Sequence, residues 1–166
     1  QPAFSYIAPG YVVDGKDFVD GRSTFELSAT ADVAAAQAAL AEAGYPNGEG
    51  FPEITLSYYT NDTVKKVVEA LAEMLQTNLN IKINIANEEW PIYYANVQAG
   101  NYDLCAMGWG GDYLHPMTFL PLLKTGDTNN LVGYSNAAYD ALVEAAQTEV
   151  DPTAAMATMQ EADNIA

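Results

Sequence analysis

The sequence is poor in the residues from which reactive centres are most often built. Among its 166 residues there is one cysteine, Cys105, and one histidine, His115. A single thiol excludes an internal disulfide and a cysteine-rich metal site. Its place within the apolar run 104–107 predicts a buried, unreactive side chain, not a nucleophile. A single histidine excludes any site that needs two imidazoles and speaks against a zinc centre of the usual kind, so neither a metal nor a cofactor is expected. Basic residues are equally scarce: six Lys and Arg stand against 22 Asp and Glu, for a formal net charge of −16. Nucleic acids and anionic membrane surfaces both require a basic footprint, so neither is an expected partner. No apolar run approaches the roughly 20 residues of a membrane span, and no direct membrane insertion is expected.

What is present suits a globular domain. Hydrophobic residues make up 49% of the chain and the mean hydropathy is −0.07, so a single domain of this length can bury a core. The acids are dispersed, as on a solubilising surface. They favour cationic ligands weakly, because screening beyond about 10 Å makes whole-chain charge a poor guide to specificity.

Periodicity alternates between two kinds along the chain. Residues 31–43 are alanine-rich, with Thr30 as a cap and Gly44 as a stop, and predict a helix. A strand over 54–60 follows. Val64, Val67, Val68, Leu71, Met74 and Leu75 then recur at helical spacing over 63–78. Ile81, Ile83 and Ile85 alternate with Lys82 and Asn84, the pattern of a half-buried strand. Pro91, preceded by the acidic pair Glu88 and Glu89, fits the first turn of a helix that stops at Gly100. The run 104–107 predicts a further strand, and helices are expected near Pro116, from about Asn136 and over 152–166. Strands separated by helices give an α/β fold.

Two patterns carry less than they first suggest. Asp14, Asp17 and Asp20, with Gly15 and Gly21, miss the alternating ligand spacing of a calcium loop and predict an acidic turn. The sequon Asn61-Asp62-Thr63 is also a good helix start. Tyr58, Tyr59, Tyr93, Tyr94, Tyr113 and Tyr134 suit either ligand stacking or half-buried packing.

The most informative stretch is 102–113, Tyr-Asp-Leu-Cys-Ala-Met-Gly-Trp-Gly-Gly-Asp-Tyr. An apolar strand breaks at Gly108 into a turn that presents Trp109 and Asp112. Gly108, Gly110 and Gly111 are expected to let the backbone turn tightly and approach a ligand closely. A flat ring and a carboxylate thus stand three residues apart at the carboxyl end of a strand, where open α/β sheets place their ligands. The plain alternative is that Trp109 is core and Asp112 caps the helix expected near Pro116.

Taken outward, the order Glu89-Trp90-Pro91, Asn101-Tyr102-Asp103, the glycine turn, Pro116 to Leu120 and Gly133-Tyr134-Ser135-Asn136 before Tyr139-Asp140 resembles the dipeptide- and oligopeptide-binding branch of the extracellular solute-binding proteins of ABC transporters. Ala43-Gly44-Tyr45-Pro46 extends the resemblance upstream, so that about residues 30–160 match the second lobe of that family. The resemblance implies a periplasmic-binding-protein-like lobe with a mixed sheet flanked by helices. It further implies that residues 1–166 are one ligand-binding lobe, cut at both ends from a two-lobe receptor. Asp112 would pair with the free α-ammonium of a peptide, and Trp90 and Trp109 would border side-chain pockets. Gly108, Gly110, Tyr113 and His115 join the candidate ligand contacts, His115 as a local departure from the family pattern. The implied protein is a monomeric, extracytoplasmic receptor, periplasmic or lipid-anchored, that hands peptide to the permease subunits of an importer. The same scaffold could instead take a nickel chelate, haem or an oligosaccharide. An extracellular hydrolase would need Asp112 to work with Glu88 or Glu89 as paired carboxylates.

Overall fold

The computed structural model describes residues 5–20 and 30–166, so Gly21 of the acidic turn lies outside the described residues. In chain order the elements are β1 (Val12–Val13), β2 (Lys16–Asp17), α1 (Val33–Glu42), β3 (Ile54–Tyr59), α2 (Asp62–Leu79), β4 (Ile83–Glu88), α3 (Trp90–Gln98), β5 (Leu104–Ala106), α4 (Ala137–Thr148) and α5 (Pro152–Ile165). Short 3-10 turns stand at Pro46–Gly48, Pro116–Thr118 and Leu120–Leu123. The chain divides into two compact units. One is continuous, Thr30–Gly108; the other combines the described part of Gln1–Ala29 with Trp109–Ala166.

The continuous unit is a β-α-β-α-β arrangement preceded by α1. Strand β3 lies centrally and pairs in parallel with β4, Ile54 opposite Ile83, and with β5, Leu56 opposite Leu104. All three strands therefore end on one carboxyl edge. Helix α2 starts where the sequon suggested a helix start, because Asn61 Oδ1 accepts the N–H groups of Thr63 and Val64 at 2.9 and 3.0 Å. It closes at Asn80, whose φ of 53° is the left-handed conformation that ends many helices. Its Val68 and Ala72 pack with Leu56, Tyr58, Ile81 and Ile83 in one apolar cluster. The apolar arc of α2 is wider than the face it buries, and Val67, Leu71 and Met74 remain exposed. Ile85 departs from the expected alternation at 41% exposure, although Ile83 on the same strand is buried in the apolar cluster with α2. Helix α1 is capped by Asp32, which accepts from Ala35 N at 2.9 Å, and not by Thr30.

In the discontinuous unit, β1 and β2 form an antiparallel hairpin whose connecting residues, Asp14 and Gly15, both have positive φ, 48° and 75°. An Asp-Gly pair is well suited to that turn because its twist matches the strands it joins. Asp17 commits its two carboxylate oxygens to the N–H groups of Gly10 and Val19, at 2.8 and 3.2 Å, so this acid stabilises a turn. Helices α4 and α5 are capped by Asn136 and Asp151. They pack Tyr139, Val143, Met156, Met159 and Ala162 around Ile7, Phe18 and Leu120. The hydroxyl of buried Tyr139 donates to Leu120 O at 2.6 Å, which satisfies a polar group that burial would otherwise penalise. Gln160 Nε2 donates to Phe18 O at 2.7 Å and Ser5 Oγ to Asp163 Oδ2 at 2.9 Å, tying the two sequence segments of the unit together. The helix expected near Pro116 is instead two 3-10 turns. Pro121 lacks the N–H that a continuous helix would use, and its ring would meet the carbonyl four residues back.

The architecture is α/β, as the alternation of elements predicted. Parallel and antiparallel pairings are both present, in two separate sheets.

Candidate ligand-binding site

Strand β5 leads into the site. Tyr93 of α3 is fully buried, and its hydroxyl donates to Ala106 O at 2.8 Å, with Ser57 O at 3.4 Å. One side chain thereby holds the exit of β5 beside β3. Cys105, in the middle of β5, is partly buried, and desolvation raises its thiol pKa. The thiolate needed for nucleophilic chemistry is disfavoured there, in keeping with an unreactive cysteine.

The glycines that follow behave differently from one another. None of Gly108, Gly110 and Gly111 has positive φ, so the tight conformations expected of them are not required. A Cβ at Gly108 or Gly110 would meet nothing within 4 Å. A Cβ at Gly111 would lie 2.5 Å from Tyr11 Oη and 3.1 Å from Thr118 Cγ2. The glycine is needed at 111 for packing beneath the turn, while open space lies beside the other two.

Asp112 is held by its backbone and left open at its side chain. Its N–H donates to Oγ1 of buried Thr118 at 2.9 Å. Asp112 is exposed, and among the described residues no hydrogen bond or ion pair engages its carboxylate. It does not cap the turn that begins at Pro116. That role belongs to His115, whose Nδ1 accepts from Met117 N at 3.3 Å. Partial burial lowers the pKa of His115, so the neutral imidazole that can accept this bond is favoured. With the cap supplied by His115, the plain structural explanation of Asp112 is removed. Trp109 is 42% exposed and so is not a core residue.

Trp90 opens α3, with Pro91 in the first turn as expected. Its ring stacks on Tyr94 at 5.4 Å and meets Tyr59 edge-on at 5.2 Å, yet 47% of the residue stays exposed. The junction before it is braced. Asn96 Nδ2 reaches both oxygens of Glu88 at 2.9 and 3.0 Å, and Thr60 N donates to Glu88 O at 2.9 Å. An exposed aromatic face on a braced support can cover apolar surface of a ligand without demanding one shape.

Of the residues singled out from the sequence, Trp90 and Gly108 belong to the continuous unit. Trp109, Gly110, Asp112, Tyr113 and His115 belong to the other. Tyr113 and His115 line a common pocket. The supporting residues Thr118, Tyr11 and Asn96 had no signal in the sequence, and Tyr93 had one only as an aromatic residue, since nothing local shows which atoms they reach. Among the described residues, no three His, Cys, Asp or Glu side chains group to hold a metal ion.

A profile of the bacterial extracellular solute-binding proteins, family 5 Middle, matches residues 1–131. The chain belongs to this family. Among family 5 relatives, the dipeptide-binding protein DppE of Bacillus subtilis is 30% identical over 168 residues, covering 99% of this chain and 30% of that protein. The periplasmic murein peptide-binding protein MppA of Escherichia coli is 35% identical over 134 residues, covering 80% of this chain and 25% of the relative. The crystal structure of the periplasmic oligopeptide-binding protein OppAIV of Borrelia burgdorferi superposes with a TM-score of 0.79 at 36% identity, over 95% of this chain and 31% of the other. This chain thus spans about a third or less of the length of these relatives. The periplasmic-binding-protein-like α/β fold expected from the resemblance is that of these neighbours. Among the described residues, no helix is long and apolar enough to cross a membrane.

Proposed function

We propose that this chain is one ligand-binding lobe of the extracytoplasmic receptor of an ABC importer, and that the receptor captures peptides by their backbone and free amino terminus. The observation that carries the reading is Asp112: a carboxylate with its backbone fixed by Thr118 and its oxygens uncommitted. Such a group is suited to an ammonium, because a charge-assisted bond strengthens when a closing cleft excludes water. Trp109, in the same unit as Asp112, offers an exposed ring face for ligand side chains, and Trp90 offers one within the continuous unit. Open space beside Gly108 and Gly110 leaves the backbone after Met107 accessible to an extended peptide, which could be read by main-chain bonds irrespective of its sequence. The names of the relatives, which bind dipeptides, oligopeptides or murein peptide, support this class of ligand. In this reading the receptor is a monomer and no enzyme. It stands in the periplasm or is lipid-anchored at the outer face of the cell membrane, and it delivers its load to permease subunits.

Native mass spectrometry of the full-length protein, purified without denaturation, tests the reading. A ladder of peptide masses released on dissociation is expected. A single chelate, haem or sugar mass would replace the peptide reading with another cargo on the same scaffold.

A further inference from the structure

The discontinuous unit contains a cavity of about 460 Å³ at the connection between α4 and α5. Its buried wall is apolar, formed by Val13, Ala146 and Ala155 with Met117 and Pro121 beside them. The rest of its lining mixes the polar Tyr113, His115, Gln147 and Glu149 with the apolar Val150 and Pro152, and Glu149 is its one carboxylate. The last turn of α4 ends at this cavity with no basic residue, its Glu144 and Ala145 carbonyls accepting from the neutral Thr148 hydroxyl, while the start of α5 at Pro152 has its Thr153 and Ala154 N–H groups taken by the Asp151 carboxylate. Glu149, the residue that ends α4, adds a carboxylate. One of its oxygens accepts from Asp151 N at 2.9 Å, and the carboxylate stays exposed at the cavity. Tyr113 supplies an aromatic ring, a group that attracts cations through its face. His115 carries the one titratable nitrogen in the lining, and burial favours its neutral form, so it brings no competing positive charge at neutral pH.

We propose that this cavity is a binding site for an organic cation, an ammonium or guanidinium on a short apolar stem. The stem lies against the apolar wall and the charge meets Glu149 and the carbonyl end of α4. Two sources share that chemistry. One is a lysine or arginine side chain of a peptide held at Asp112, which rests on the peptide reading; the other is a separate small amine, which does not.

The test uses the full-length chain with methyl-labelled methionine, because Met117 lines the cavity and reports on its contents. Met117→Leu assigns the signal. Hexylamine should shift the Met117 methyl, hexanol should do so more weakly, and hexanoate should leave it unmoved. Glu149→Gln keeps the oxygen that accepts from Asp151 and removes the charge. It should weaken hexylamine by about fivefold, the loss expected for one charge-assisted bond at a partly exposed site, without changing the melting temperature. Gln147→Trp, at an exposed position of the lining, should block hexylamine outright. Equal shifts with hexylamine and hexanol, an unmoved Met117, or an unaltered affinity in Glu149→Gln would each overturn the proposal. The source is then separated with trilysine and trinorleucine. Displacement of hexylamine by trilysine alone identifies the peptide side chain, and hexylamine retained alongside bound trilysine identifies a separate amine. Asp112→Asn keeps the inferences apart, since it should weaken capture of free-amine peptides roughly 30-fold or more and leave hexylamine binding intact.

Discussion

The backbone N–H of Asp112 is bonded to the hydroxyl of Thr118 at 2.9 Å, across a turn whose next residue back, Gly111, has no room for a side chain. Asp112 is thus fixed through its backbone by Thr118 and the close packing at Gly111, and its carboxylate takes no part in that support. Position and chemistry at this site are supplied by different residues and can be perturbed separately.

Asp112→Asn keeps size and removes charge. Stripping one partner from a desolvated ion pair commonly costs about 2–5 kcal/mol. Affinity for free-amine peptides should therefore fall roughly 30-fold or more, at about 1.4 kcal/mol per decade. Amino-acetylated peptides should bind wild type poorly and lose little further in the mutant. Calorimetry on the four combinations of protein and peptide gives the coupling energy. Unchanged affinity for free-amine peptides with an unchanged melting temperature would show that Asp112 anchors nothing.

The glycines of the turn should separate cleanly. Gly111→Ala forces a methyl against Tyr11 Oη and Thr118 Cγ2. Overpacking of this kind destabilises by about 1–3 kcal/mol. Gly110→Ala enters open space with ordinary φ and should change stability by less than about 0.5 kcal/mol. Denaturant midpoints of the two variants decide it: equal losses would mean that the seat beneath Gly111 is not rigid.

Trp109→Ala should weaken peptides with large side chains more than alanine peptides, because the lost ring area matters where something covers it. A titration series from trialanine to peptides with a single Leu, Phe or Trp is the measurement. A uniform loss across the series would make Trp109 part of the scaffold of the turn.

His115 should make stability fall as pH is lowered through the range just below neutrality. Burial lowers its pKa in the folded state, whereas the unfolded chain takes up the proton at about 6.5. In the interval between the two values the unfolded state binds more protons, so stability is complete above about pH 6.5 and declines as pH falls through the folded value. His115→Asn supplies an oxygen in place of Nδ1 for the cap and removes the titration. The difference in stability between wild type and mutant should be constant above about pH 6.5 and change below it, and a difference that stays constant there too would dismiss His115 as the cause.

Much of the fold could be read along the chain because its signals are local. The caps Asn61 and Asn136 announce their helices through bonds to residues two and three positions on. The strands around Ile54 and Ile83 follow from alternation. Local pattern fails where burial depends on what lies opposite. Ile85 continues the period of Ile83 yet lies outside the apolar cluster that buries Ile83, and Val67 and Leu71 share the helical spacing of Val68 but stay exposed. At the proposed site, the sequence singles out Asp112, Trp109 and Trp90, all of which are exposed in the structure. It cannot show that His115 takes the capping role open to Asp112, because both stand at plausible distances before Pro116. Nor does it reveal Tyr11, about a hundred residues before the glycine it packs beneath.

The division of the chain also sets an order of events. Every partner in the continuous unit is available once residue 108 has been made, and its strands join through short crossovers. The other unit pairs Ser5 with Asp163 and Phe18 with Gln160, across 158 and 142 positions. During synthesis, Ile7 and Phe18 leave the ribosome long before α4 and α5 exist to cover them. Distant closure is entropically costly and slow, so the apolar segment at the front of the sequence waits uncovered while its insert folds. Chaperone dependence and aggregation during translation should thus concentrate at this segment, and not at the parallel sheet that is finished first.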